Sequence, residues 1–198
     1  MNVVFDFGNV IFRWDPEKVI AGVFDDKSDR EQVLAHFIGH DDWLALDRGS
    51  LRPVDAISRA ASRTGLPAEK FARLLERVPA SLAPINGSPE LLYRVKAAGN
   101  WLYFLSNMHA ASIEYLERAH VFWDVFEGGV ISCRVRLIKP EPQIYAHLLS
   151  EYRLDPADTV FIDDLPVNLA AAAEFGIRTI QFFEPAQCER ELRTMGCL

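Results

Sequence analysis

Positive charge is in short supply: 21 lysines and arginines face 28 aspartates and glutamates, a net charge of −7. An acidic chain gains little from counter-ion release on nucleic acid or on an anionic membrane surface, so neither is expected as a partner. Cysteine is scarce and odd in number, with Cys133, Cys188 and Cys197 far apart and in no C-x-x-C spacing. That argues against a disulfide framework or a zinc knuckle and for a reducing, cytoplasmic setting. No uncharged apolar run approaches the ~18 residues of a bilayer span. No basic leader, apolar core and cleavage site precede the first apolar run, so a soluble cytosolic protein is expected. Repeats and low-complexity segments are absent.

What is abundant is apolar mass. Of 198 residues, 49% are hydrophobic and 13 are phenylalanine, enough for a real core in one compact domain or a core with one small insertion. Val3-Val4-Phe5 is a short continuous apolar run of the kind found in parallel strands covered on both faces. Trp101–Leu105, Thr159–Ile162 and Ile177–Phe182 read the same way. Helical patterns lie between them. Ser88-Pro89 opens one as N-cap and first helical residue, with Leu91, Leu92 and Val95 as its stripe and Gly99 as its end. Another runs from Glu141 to Tyr152, and a third from Pro166 to Phe175, stopped by Gly176. Strand and helix alternate, which predicts an α/β fold, a Rossmann-like doubly wound parallel sheet.

Residues 15–83 differ, because they hold helical patterns and no convincing strand. Pro53 begins one helix that Gly65 stops, and Pro67 begins the next, with Phe71, Leu74, Leu75 and Val78 on one face. The expected organisation is an α/β core of residues 1–14 and 84–198, with 15–83 inserted as a small all-helical cap.

Open α/β sheets bind ligands beyond the carboxyl ends of their strands, and the notable polar residues fall there. Asp6 follows the first strand, Ser106-Asn107 the second, and Asp163-Asp164 the run Thr159–Ile162; Lys139 precedes the helix leading to that last strand. Singly, each has a plain structural reading. Asp6-Phe7-Gly8-Asn9 is turn-like, Ser106-Asn107 and Asp163-Asp164 suit helix caps, and Lys139 suits solvent. Together at one crevice they suit phosphoryl transfer. A carboxylate at Asp6 can attack phosphorus. Asp6 and Asp164 offer the hard oxygens that Mg²⁺ prefers beside substrate phosphate. Ser106 and nearby backbone N–H groups can hold phosphate oxygens, and Lys139 supplies positive charge.

The strings VVFDFGNVI, LYFLSN, IKPEPQIY and TVFIDDLPVN, in that order, resemble the four motifs of the haloacid dehalogenase superfamily. The DFGNV form, with ALDRGSL in the insertion, is most similar to the branch that includes α-D-glucose-1-phosphate phosphatases. The resemblance implies a Rossmann-like core with a helical cap after the first motif. It also implies a Mg²⁺-dependent phosphatase of a small phosphorylated metabolite, plausible as a sugar phosphate, acting through an aspartyl-phosphate. It assigns Asp6 and Lys139 as catalytic and Ser106 and Asn107 to the substrate. Asp6, the Gly8 carbonyl and Asp164 go to the metal, with Asp163 behind them and Asn168 in a weaker position nearby. Monomer and dimer stay open.

One position departs from the family. Most phosphatases of this kind carry a second Asp two residues after the nucleophile, as general acid; here it is Gly8. Either turnover is slow or the leaving group needs little protonation, and an anomeric hydroxyl, as in a sugar-1-phosphate, meets that need. The same glycine keeps two alternatives open: a metal-independent 2-haloacid dehalogenase, against which the paired Asp163-Asp164 counts, and a sugar-phosphate binder with weak turnover. A phosphomutase is less compatible with a missing general acid. His36 and His40 stand four apart, but Gly39 between them interrupts a zinc pair. His109, Trp14 and Trp43 are pocket candidates whose simpler readings are surface or packing, and Arg13 and Arg48 suit pocket and surface equally.

Overall fold

The computed structural model describes residues 1–198. The chain opens with β1 (Asn2–Phe5) and turns into β2 (Phe12–Arg13). Five helices follow: α1 (Pro16–Ala21), α2 (Lys27–Val33, continued by a π-helical turn over Leu34–Ile38), α3 (Asp41–Asp47), α4 (Pro53–Thr64) and α5 (Ala68–Ser81). β3 (Ala83–Pro84) ends that stretch. Next come α6 (Ser88–Ala97), β4 (Trp101–Ser106), α7 (Ala110–Ala119), β5 (Phe126–Ile131), the short α8 (Ser132–Val135) and α9 (Pro142–Glu151). The chain finishes with β6 (Thr159–Asp163), α10 (Pro166–Ala173), β7 (Arg178–Gln181) and α11 (Pro185–Thr194). No helix is long and apolar enough to cross a membrane.

Five strands pair in parallel in the order β5-β4-β1-β6-β7. β1 is central, and Val3, Val4 and Phe5 are fully buried, each side chain worth about 1.5–3 kcal/mol of apolar burial. Alternation sends Val3 and Phe5 to one face, with Leu91, Val95 and Leu116, and Val4 to the other, with Ile144, Leu148 and Leu169. Both faces are therefore covered, as the continuous apolar runs require. The chain builds outward from β1 through β4 to β5, then returns to lay β6 and β7 on the other side, so the sheet's switch point opens beside β1.

Two features lie outside the sequence expectation. β5 is a fifth core strand, and β2 pairs antiparallel with β3 as a two-residue ribbon, Phe12 opposite Pro84 and Arg13 opposite Ala83. That ribbon joins the two places where the chain leaves and re-enters the sheet domain. The helices α1–α5 between them pack on their own apolar cluster, which includes Phe24, Phe37, Trp43, Phe71 and Leu74. A smaller correction concerns α6: its N-cap is Gly87, at φ 91°, and not Ser88. The Ser88 hydroxyl instead donates to Val10 O at 2.6 Å, fastening the loop after β1.

Candidate active site

Each candidate side chain leaves the carboxyl edge of a strand or the loop beyond it. Asp6 follows β1 directly, its N–H donating to Ile162 O on β6 at 2.9 Å. The loop beyond is braced by the Phe7 carbonyl, which accepts from the N–H groups of Ile11 and Phe12 at 2.9 and 2.8 Å. Phe7 itself is buried against Phe12, Phe104, Trp123 and Phe126. A packed aromatic thus anchors the residue next to the carboxylate. Asp6 Oδ1 accepts from Phe7 N at 2.7 Å and lies 2.9 Å from Lys139 Nζ.

Lys139 is as deeply placed, 3% exposed. Its ammonium donates to Leu105 O at 3.0 Å and to Asp163 Oδ2 at 2.7 Å. Burial opposes that charge, but Asp6 and Asp163 outweigh it and hold the lysine above its ordinary range. For Asp6 the balance goes the other way: burial pushes its carboxyl up to about 7 against the pull of Lys139, with Asp163 adding to the rise. Asn107 fixes the lysine's backbone, its Oδ1 accepting from Lys139 N at 2.9 Å and its Nδ2 donating to Lys139 O at 3.0 Å. Asn107, expected at the substrate, lines the cavity, and its side-chain amide is committed to the Lys139 backbone. Ser106 Oγ is buried beside Asp6, whose carboxyl it eases slightly downward, but makes no well-formed hydrogen bond. A buried orphan hydroxyl costs stability unless a ligand completes it.

Asp163 and Asp164 are neighbours with different surroundings. Asp163 is fully buried, and both its oxygens are occupied: Oδ1 by Leu165 N and Asn168 Nδ2, Oδ2 by Lys139 and Asn168. Asp164 is half-buried and accepts from Asn9 Nδ2 at 3.2 Å through Oδ2. Burial raises its pKa, Asn9 opposing and Asp163 adding to the rise. One carboxylate oxygen from each of Asp6, Asp163 and Asp164 lies within 4.8 Å of the others. Gly8 stands at the same edge, and a β-carbon there would meet nothing within 4 Å. The space left by the missing acid is real.

Asn9 was not singled out from the sequence. Its φ of 51° is a left-handed conformation that Asn tolerates better than most residues. In it, Oδ1 accepts from Trp14 N at 2.9 Å while Nδ2 reaches Asp164. One amide therefore ties the loop after β1 to the acidic pair and to the start of the helical insertion.

These groups open into a cavity of about 340 Å³ lined by Asp6, Gly8, Lys139 and Asp164 on the sheet side. Trp43 and Leu44 from α3, Val78 from α5, and Trp14 form much of the opposite wall. Trp14 and Trp43 stack at 5.7 Å, and the His109 ring meets Trp43 edge-on at 5.6 Å. A wider groove of about 520 Å³ touches Asn9, Arg13 and Asp164 from the other side, but Asp6 and Lys139 do not line it.

A contact set joining α3 to the sheet loops could not be read from the sequence. His109 Nδ1 lies 3.1 Å from Asp47 Oδ1, and its Nε2 3.1 Å from Ser112 Oγ. Ser132 Oγ donates to Asp47 O at 2.5 Å. Arg48 pairs with Glu141 through both guanidinium nitrogens, at 2.7 and 2.5 Å. His36 and His40 do not form a metal pair, since His40 caps α3 by accepting from Asp42 N at 3.0 Å.

A parallel doubly wound sheet with an acid–lysine–acid cluster at its switch point and an inserted helical unit above it defines a class of hydrolase. The chain belongs to the haloacid dehalogenase-like hydrolase family, whose model matches residues 1–176. It is 28% identical over 195 residues to the sesquiterpene phosphatase astK of Aspergillus oryzae, covering 98% of this chain and 96% of the relative. It is 24% identical over 201 residues to the D-ribitol-5-phosphate phosphatase of Bacteroides thetaiotaomicron, covering 96% of each. Two other curated relatives are much longer, and the chain spans 35% and 12% of them. Among solved structures, a HAD family enzyme of B. thetaiotaomicron in complex with magnesium and inorganic phosphate superposes with a TM-score of 0.69 at 21% identity, covering 91% of this chain and 92% of that one. The last likeness shows the fold alone.

Proposed function

We propose that the protein is a Mg²⁺-dependent phosphatase that hydrolyses a small organic phosphate monoester through an aspartyl-phosphate on Asp6. The observation that carries this reading is the Asp6 carboxylate beside Lys139, with carboxylate oxygens of Asp6, Asp163 and Asp164 within 4.8 Å of one another. Its full-length relatives are named as phosphatases.

The donor set fits the ion: hard carboxylate oxygens, partly buried, at a distance that one small cation can bridge. Asp6 and Asp164 would hold it with the Gly8 carbonyl, while Asp163, already saturated by Lys139, Leu165 and Asn168, holds the lysine from behind. Bound Mg²⁺ neutralises phosphate charge and stabilises the transferring group.

The chain's own groups account for the rest. Phe7 N–H and Lys139 hold Asp6 Oδ1, which leaves Oδ2 as the oxygen for attack on phosphorus. Attack forms the Asp6–phosphorus acyl-phosphate bond and breaks the bond to the leaving oxygen, which takes its proton from water because Gly8 carries no acid. Ser106 Oγ, without a protein partner, receives a phosphate oxygen, and the Lys139 charge offsets the charge gathered there. Water then attacks the same phosphorus, releasing orthophosphate and the free Asp6 carboxylate. Residues 15–83 act as the cap over this chemistry, excluding bulk water and admitting substrate.

The dehalogenase alternative requires a carboxylate substrate to approach Asp6 past Asp164 with no cation between them, which like-charge repulsion disfavours. A phosphate-release screen over organic phosphates, with Mg²⁺ and with EDTA, tests the reading. Release should require Mg²⁺, and Asp6→Asn should lower kcat by about 10⁴-fold or more, as expected when a nucleophile is removed. EDTA-resistant halide release with no phosphate release would overturn it.

A further inference from the structure

Resting on that phosphatase reading, we infer that the organic part of the substrate is hydrophobic and not a sugar or polyol. The argument is an inventory of what faces it. Trp14, Trp43, Leu44, Val78, Leu82 and Met108 line the cavity away from Asp6. Trp14 and Trp43 stack on one another, with His109 edge-on to Trp43, so this part of the lining is aromatic.

A polyhydroxylated substrate needs a polar partner for nearly every hydroxyl, because a buried hydroxyl left unpaired loses its water without compensation. The polar side chains of this cavity are mostly taken. Asn9 is bound to Trp14 N and Asp164, and Asn107 to both backbone groups of Lys139. Asn168 spends its donor on Asp163. Asp47, His109 and Ser112 are hydrogen-bonded in a row to one another. Asp6, Lys139 and Asp164 belong to the phosphate and its cation. An apolar group asks for none of these partners and gains from leaving water. The cavity of about 340 Å³ is large enough for a phosphate and a ring or short chain together.

The test holds leaving-group chemistry constant. 3-Phenylpropyl phosphate and glucose 6-phosphate are both esters of primary alcohols, so a rate difference reports recognition and not bond strength. With Mg²⁺, kcat/KM for the phenylpropyl ester should exceed that for the sugar ester by at least about 100-fold, the scale on which polar mismatches discriminate. Leu44→Asp, altering a half-exposed wall residue, should shrink that ratio by roughly tenfold. Acetyl phosphate, whose leaving group offers little to recognise, separates the two readings. Mg²⁺-dependent acetyl phosphate hydrolysis with equal or sugar-favouring ratios overturns the hydrophobic inference and leaves the phosphatase reading standing. Loss of all hydrolysis sinks the phosphatase reading. The wall is then judged by binding of 3-phenylpropylphosphonate against methylphosphonate, read by tryptophan fluorescence: at least tenfold tighter binding supports it, and equal binding refutes it.

Discussion

The floor and the wall of the cavity are built on opposite plans. On the floor, Asp6, Lys139, Asn107 and Asp163 each hold at least one of the others, and the cluster is largely buried where it meets the cavity. The wall is a helical surface with its own apolar cluster, tied to the sheet side at α3, at α5 against α7 and at Trp14. A charged cluster in a low-dielectric edge needs every partner in place, because each unpaired member is costly. An apolar wall tolerates change far better, since apolar contacts are not directional. Substitution is thus costly at the floor and cheap at the wall.

Four substitutions probe that contrast, in falling order of expected effect. Lys139→Met removes the one cation between Asp6 and Asp163. Breaking a buried pair in this way should cost about 3–5 kcal/mol in urea denaturation, whereas a loss under 1 kcal/mol would mean that the floor is not held by its charges. Gly8→Asp goes into open space. Placing an acid within reach of the leaving oxygen should raise kcat on alkyl phosphates about 100-fold, since general acid catalysis contributes roughly 10²–10⁴; an unchanged kcat would show that proton delivery does not limit the reaction. At the seam, Gly49 has φ 73°, and a β-carbon there would lie 2.6 Å from Cys133 O. Gly49→Ala should cost about 1–3 kcal/mol of stability, read as a lower melting temperature. Last, Arg48→Ala removes a partly exposed ion pair with Glu141. The expected loss is at most about 1 kcal/mol, and a larger one would make this pair a principal tie between wall and floor.

The floor was readable in the sequence because its parts are local. Asp6, Ser106 and Asp163-Asp164 end apolar runs, and a parallel sheet delivers the ends of such runs to one edge without further information. β5 was not readable, and its glycines explain why. Gly128 and Gly129 interrupt the apolar pattern of Phe126–Ile131, yet a β-carbon on Gly129 would lie 2.4 Å from the Phe104 ring and one on Gly128 2.4 Å from Tyr152. The residues that hide the strand are those that let its neighbours approach. The ribbon of β2 and β3 is too short for any periodicity. Asn9 looked like a turn residue, and its double role depends on a left-handed backbone that no pattern announces. Asp47, His109 and Ser132 meet only through tertiary packing, so nothing in their spacing links them. That the Asn107 side chain holds the two backbone groups of Lys139, 32 residues away, was hidden for a related reason.

The paired segments at Phe12–Arg13 and Ala83–Pro84 have a mechanical consequence. The laced crossing is the post on which the helical unit hangs, and contacts at α3 and α5 latch it to the sheet side a second time. Trp14 comes immediately after that post, and its N–H is bonded to Asn9, which also grips Asp164. Displacement of the helical unit at this post therefore strains the amide that also reaches Asp164.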